Sequence, residues 1–224
     1  MKRMFAISAL CLIAAPLFAQ KKEDDRLASS ASVLQELLTG NLPLSILNKA
    51  DCVLIFPKVK KVAIGIGASY GRGVLVCRKG PNMNGMWGAP VMYSLDQGSI
   101  GVQLGSTATD FVLVVMNQKG ADQILNGKSK LGSNAAAAAG PTGAQATSYN
   151  AEAMNVDVLT YSRSKGLFAG VSLEGASIEA DKDANKAVYG KAIDAKEIVG
   201  GGVEVVPAAK ALVTLLDKTS PARK

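Results

Sequence analysis

The 224-residue chain carries 25 lysines and arginines against 18 aspartates and glutamates, a formal charge of +7, and no histidine. The missing histidine excludes Ser–His and Cys–His nucleophilic pairs and histidine-ligated zinc, and three cysteines are too few for a closed thiolate zinc site. The length suits one well-packed domain, and the mild positive excess suits an anionic surface.

Residues 1–19 have the layout of a secretory leader. Lys2 and Arg3 precede a charge-free apolar stretch from Met4 to Phe18, and small Ala19 precedes a polar run from Gln20 to Asp25. The stretch is short for a bilayer span, which takes about 20 apolar residues. Cys11 follows Ser8-Ala9-Leu10, not the Leu-Ala-Gly-like tripeptide that normally precedes a lipid-modified cysteine. Export with cleavage near Ala19 is therefore expected. Removing Lys2 and Arg3 leaves 23 basic residues against 18 acidic, and a periplasmic destination argues against nucleic acid as the partner of that charge. Cys52 and Cys77 remain, each in an apolar run. An oxidising compartment allows a disulfide between them; the other reading is two buried thiols acting as small hydrophobes.

Residues 20–26 are expected to be flexible. A helix follows over about 25–38, where Leu27, Ala31, Leu34 and Leu38 fall on one face that Val33 and Leu37 widen. Asp24 and Asp25 suit its N-terminus, and Gly40 stops it. Pro43 opens a second short helix that runs to Ala50. From Asp51 the pattern turns to strands, at 52–56, 62–69, 73–78, 90–95, 100–107 and 111–116. Short turn signals such as Gly80-Pro81-Asn82 and Asp96-Gln97-Gly98 separate them, which favours antiparallel pairing.

A helix is expected over 121–126, ended by Gly127. Residues 134–149 pull two ways: five consecutive alanines favour helix, while Gly140-Pro141 and Gly143 break it, and a strand pair is the narrower expectation. Strands resume at 156–162 and 167–179. Pro207 starts a last helix that buries Leu212, Leu215 and Leu216, and residues 218–224 form a basic tail. Gly65, Gly67, Gly71 and Gly73 would share one face of an uninterrupted strand, which implies close backbone approach or a tightly bent sheet. These elements predict an α+β fold: a mainly antiparallel, Gly-rich curved β-sheet or barrel-like core flanked by N- and C-terminal helices, as one domain over 27–217.

The run 161–176, from Tyr161-Ser162-Arg163 through Gly166-Leu167-Phe168 to Glu174-Gly175-Ala176, closely resembles the signature of the SYLF domain family. Earlier stretches fit in the same order, among them Gly71-Arg72-Gly73, Trp87-Gly88-Ala89-Pro90, residues 98–105, Thr109-Asp110-Phe111-Val112 and residues 138–143. Leu131-Gly132 and Tyr189-Gly190 agree too, so the likeness covers roughly 27–216. The resemblance implies a lipid-binding module; eukaryotic members look like phosphoinositide binders, and fungal ones also bind actin. An exported bacterial chain meets neither ligand ordinarily, so anionic phospholipid or lipopolysaccharide on a peripheral membrane surface is the expected partner. No protein partner is specified. In eukaryotic relatives the N-terminal helix is a basic membrane contact, but here Arg26 is the lone base between Asp24 and Leu38, so the helix is expected to pack on the core.

Catalytic motifs fail on inspection. Ser162-Arg163-Ser164-Lys165 matches the S-x-x-K of penicillin-binding proteins, but its partner motifs are missing and Lys218-Thr219-Ser220 is a near miss. Asp181-Lys182-Asp183-Ala184-Asn185 begins like a calcium loop, yet Lys186 and Ala192 stand where glycine and the bidentate acid belong, so a helix N-terminus is the better reading. The glycines at 65–71 lack dinucleotide-loop spacing. No catalytic residue, metal or cofactor is implied. The expected lipid-binding residues are Lys58, Lys60, Lys61, Arg72, Arg78, Arg163 and Lys165, with Trp87 beside Met83 and Met86 as an apolar anchor at headgroup level. The competing reading of Trp87 is burial. A protein-interaction module of the cell envelope, using the same basic surface, is the alternative function.

Overall fold

The computed structural model describes residues 14–39, 42–64, 66–100, 105–133, 135–141, 156–164, 167–170, 173 and 175–223. Its centre is a nine-stranded sheet. The strands are β1 (Cys52–Ile64), β2 (Ile66–Cys77), β3 (Val91–Ile100), β4 (Gly105–Val115), β5 (Ser129–Lys130), β6 (Ala137–Ala139), β7 (Val158–Ser164), β8 (Leu167–Gly170) and β9 (Ser177–Ala180). Their order is β5-β9-β3-β2-β1-β4-β7-β6, with β8 paired to β7. Every pairing is antiparallel except β6 with β7. The sheet is curled but open, a half-barrel with β5 and β6 at its margins. Helices α1 (Ala14–Leu38), α2 (Leu44–Lys49), α3 (Gln118–Leu125), α4 (Lys182–Tyr189), α5 (Ala195–Glu197) and α6 (Lys210–Thr219) complete the α+β fold expected from the sequence.

The apolar run of β1 explains the layering. Successive strand residues point to opposite faces, and Cys52, Val53, Leu54, Ile55 and Phe56 are all sealed, so both faces are covered. Val53 and Ile55, with Val74, Val76, Val112, Val114, Leu159 and Tyr161, pack against Leu27, Leu34 and Leu37 of α1 and Leu212 and Leu216 of α6. Leu54 and Phe56, with Leu75, Tyr93, Leu95 and Leu113, pack against Ala121 and Ile124 of α3 and Ile193 and Ile198 near α5. The N-terminal helix thus lies on the core.

Two devices bend the central strands. Register shifts between Ile55 and Lys60 form a bulge in β1, with Lys58 in the left-handed region at φ 51° and its N–H donated to Asp110 Oδ1 at 2.8 Å. Opposite, a Cβ on Gly71 would stand 2.6 Å from Val59 Cγ2, and one on Gly73 would collide with the Ile55 carbonyl and the Phe56 ring. The close approach read from the glycine row is present at these two positions; Gly65 lies outside the described residues.

Several boundaries differ from expectation. The lysines at 58–61 looked like a break, but the strand continues through them as an exposed bulge, so three expected strands are the two long strands β1 and β2. The expected strand at 100–107 is instead the end of β3 and the start of β4, with 101–104 outside the described residues. Residues 167–179 divide into β8 and β9, and of 134–149 only β6 forms a strand among the described residues. Residues 20–26 are not a flexible lead but part of α1, held by buried Glu23 and Arg26. Nor is the C-terminus a free tail: Ser220 is buried, and Arg223 bonds Asn48 O at 2.9 Å and Asp51 Oδ1 at 2.9 Å. Asp181 caps α4 through Ala184 N–H at 3.1 Å, which is the helix start read at 181–185.

Candidate functional site

The β1 bulge, the neighbouring part of β2 and the first half of α1 enclose a groove of about 350 Å³. β1 contributes Lys58 and Lys60, β2 contributes Tyr70 and Arg72, and α1 contributes Lys22, Asp25 and Arg26. The local geometry follows from the bulge. The left-handed turn at Lys58 restores alternation after Pro57, so Val59 is buried while Lys58 and Lys60 are both exposed. Lys60 is paired with Tyr70, two residues from Arg72, so the alternation of β2 sends both of those side chains toward the same face. The Arg72 guanidinium sits 5.6 Å from the Tyr70 ring centroid.

Behind the groove lining, an ion network ties α1 to the sheet and α4. Arg26 meets Glu23 Oε2 at 2.7 Å and Asp181 Oδ2 at 3.6 Å, and Arg72 pairs with the same Asp181 oxygen. Burial pushes the Glu23 carboxyl above its ordinary range against the pull of Arg26, and burial lowers Arg26. For Arg72 burial acts downward, but Asp181, Tyr70 and Glu23 together outweigh it and the guanidinium is raised. Arg26 and Arg72 are therefore matched by acids. Lys22, Lys58 and Lys60 are exposed and form no salt bridge among the described residues, and Asp25 is the single acid lining the groove. The result is an open, cationic depression.

The expected binding residues divide sharply. Lys58, Lys60 and Arg72 come together. Lys61 is half-buried and pairs with Ser69 and Thr107, one residue along from Lys60 and so directed to the other face of β1. Arg163 of β7 bonds Asp110 Oδ2 through Nε at 2.7 Å and also pairs with Glu36 of α1. Because Asp110 holds the Lys58 N–H, Arg163 braces the bulge. Lys165 lies outside the described residues.

Arg78 and Trp87 are corrections. Each is 1% exposed, so neither stands on a docking surface. Arg78 donates to Ala50 O at 3.0 Å, Pro221 O at 2.8 Å and Ser220 O at 3.1 Å, and lies 4.4 Å from the Trp87 ring centroid. Trp87 Nε1 donates to Ser220 O at 2.9 Å. Burial, then the charge of Arg223, lowers the Arg78 guanidinium to about 10. The pair clasps the end of α6 because those last carbonyls have no helical partner. Met83 is also buried, whereas Met86 is exposed. Cys52 and Cys77 are direct partners across β1 and β2 in the core, with their sulfurs 2.04 Å apart.

Sequence reasoning missed Lys22, Tyr70 and Asp181. The signals existed: Lys21-Lys22 extends the helical run, and Tyr70 and Arg72 alternate with glycines on one strand.

Residues 96–219 match the sequence profile described as Ysc84, a Las17-binding protein actin regulator. The chain belongs to the Ysc84, or SYLF-domain, family. It is 35% identical over 180 residues to an SH3 domain-containing protein of Schizosaccharomyces pombe, covering 79% of this chain and 41% of that protein. It is 34% identical over 179 residues to Protein YSC84 of Saccharomyces cerevisiae, 79% of this chain and 37% of the yeast protein. The human SH3 domain-containing YSC84-like protein 1 is 30% identical over 177 residues, 79% of this chain and 51% of its own length. The SYLF chain thus spans about two fifths to one half of these relatives. The family description is one of binding and regulation.

Proposed function

We propose that this SYLF domain is an exported, non-enzymatic module that binds anionic membrane lipid. The observation that carries the reading is the convergence of Lys22, Lys58 and Lys60, which form no salt bridge among the described residues, with Arg72 on one groove beside a single lining acid. Phosphate oxygens of a headgroup suit such a site, because ammonium groups act as adaptable point charges and need no fixed donor fork. Cleavage of the leader near Ala19 would place the new N-terminus close to Lys22, adding a further positive group at the rim. The periplasm is the proposed location.

Each base held near an anionic leaflet contributes about 1 kcal/mol. Three lysines give roughly 3 kcal/mol, weaker than millimolar attraction, so charge alone orients the domain and an apolar contact must add affinity. The test is co-sedimentation of the leaderless protein with phosphatidylglycerol, cardiolipin or lipopolysaccharide vesicles against neutral ones. Binding confined to anionic vesicles, and falling steeply with salt, is expected. Equal binding to neutral vesicles would remove the groove from the account. A second reading takes its support from the Las17-binding description of the family: the same lysine face would hold an acidic protein of the envelope. Under that reading no vesicle sediments the domain and an envelope protein is captured instead.

A further inference from the structure

The lysine groove stands at the root of a part of the sheet whose described residues are exposed or half-buried. Among residues whose side chains are described, burial ends at Val59 on β1, Gly71 on β2, Leu95 on β3 and Asp110 on β4. Pairing continues beyond that level. β1 and β2 stay in register from Lys60 with Tyr70 to Ile64 with Ile66, β2 and β3 to Ile66 with Ile100, and β1 and β4 to Ala63 with Gly105. Four adjacent strands, in the order β3-β2-β1-β4, therefore run on together as a tongue. From Val59 to Ile64 it extends about 17 Å at strand rise. Ala68, Gly98 and Ala108 lie exposed along it.

Its sequence changes character at one level. Lys58, Lys60, Lys61, Arg72 and Asp96 stand at the root. Beyond them no strand of the tongue carries a charge: β1 ends Val62-Ala63-Ile64, β2 begins Ile66-Gly67-Ala68-Ser69, β3 ends Gln97-Gly98-Ser99-Ile100, and β4 begins Gly105-Ser106-Thr107-Ala108-Thr109. Ile66 is the register partner of both Ile64 and Ile100, so three isoleucines occupy neighbouring backbone positions at the far end. β1 and β2 are paired on both sides there, so their backbone groups can leave water without losing hydrogen bonds.

We propose that this tongue is the apolar anchor of the domain, inserting shallowly into an anionic leaflet while Lys58, Lys60 and Lys61 stand at headgroup level. The inference rests on the lipid reading above and names its inserting element, a role that sealed Trp87 cannot fill. The belt of lysines directly below an uncharged end commits the occupant: a negatively charged surface with an apolar interior matches both levels at once.

Trp87 is the only tryptophan and is 1% exposed, so acyl-chain-brominated lipid cannot reach it in the folded wild type. Ile66→Trp adds a reporter on the tongue. Brominated phosphatidylglycerol vesicles are expected to quench and blue-shift that variant while leaving wild-type emission nearly unchanged; Ser99→Trp serves as the reporter should Ile66→Trp fail to fold. In parallel, Ile64→Ser/Ile66→Ser should weaken vesicle binding about tenfold, the loss expected from withdrawing two isoleucines from a shallow position in the leaflet, with thermal unfolding and salt dependence retained. Undiminished binding of the serine variant together with an unquenched reporter would leave the tongue in water and overturn insertion, while the lipid reading stands. A wild type that binds no vesicle would overturn both.

Discussion

At the scale of single residues, the groove depends on groups whose roles are set by what surrounds them. Lys58 and Arg78 are both bases in or beside strands, yet one is exposed at a bulge and the other is consumed by carbonyls of the chain end. Nothing local in the sequence separates them, because the Ser220 and Pro221 carbonyls that hold Arg78 lie more than a hundred residues away. Gly73 was legible for a local reason: a strand residue without a Cβ reports an approaching neighbour, here Phe56. Asp157 was not singled out, although it organises the start of α3. Its carboxylate accepts from Ala136 N–H at 3.0 Å, Asn117 Nδ2 at 3.0 Å and Lys119 Nζ at 3.0 Å. Burial alone would raise it, but these donors outweigh burial and hold it below the ordinary carboxylate range. A depressed folded-state value stabilises the fold above the unfolded value and is lost as pH falls through the folded one. Asp157→Asn should therefore be less stable than wild type at neutral pH by about 1–3 kcal/mol, and the gap should close in acid. Urea unfolding at a series of pH values checks this; a gap constant down to acid pH contradicts it.

At the scale of elements, the sequence revealed where strands and helices exist better than where they end. Period-two alternation and turn residues located the strands, but the lysines at 58–61 read as a break because the bulge that keeps them exposed inside a continuous strand depends on Asp110 of β4. The N-terminal boundary failed for a similar reason: Glu23 and Arg26 look solvated by composition, and burial of their pair depends on Asp181 at the start of α4. The C-terminal helix shows what such long-range partners do. Arg78 and Trp87 hold the carbonyl of Ser220, and Arg78 also holds that of Pro221. Arg78→Ala would remove the guanidinium that bridges the Ala50, Ser220 and Pro221 carbonyls and is expected to destabilise the domain by about 3 kcal/mol. Hydrogen exchange should locate the loss in α6 and residues 220–223. Uniform loosening across the sheet, with α6 no more affected than β1, would show that the clasp does not hold that helix.

At the scale of the whole molecule, two polarities coincide. The sheet is covered by α1 and α6 on one face and by α3 and the 193–198 segment on the other, so neither broad face is left to bind. At the end where β1 to β4 emerge, the lysine groove stands at the root. This was half legible. The basic residues and glycine-rich strands were evident in the sequence, but which bases share a surface depended on the fold, and the apolar anchor assigned to Trp87 belongs to the core. Family membership supports a binding role.

The most direct test of the central claim is a charge-matched comparison in vesicle flotation. Lys58→Glu/Lys60→Glu reverses two groove bases, whereas Lys128→Glu/Lys196→Glu reverses two exposed bases elsewhere on the surface. Net charge changes equally, so non-specific attraction falls equally. The groove variant is expected to lose most binding to phosphatidylglycerol vesicles at physiological salt, while the control floats nearly as well as wild type. Equal loss in both variants would reduce the interaction to net charge, and an unaffected groove variant would place binding elsewhere on the molecule.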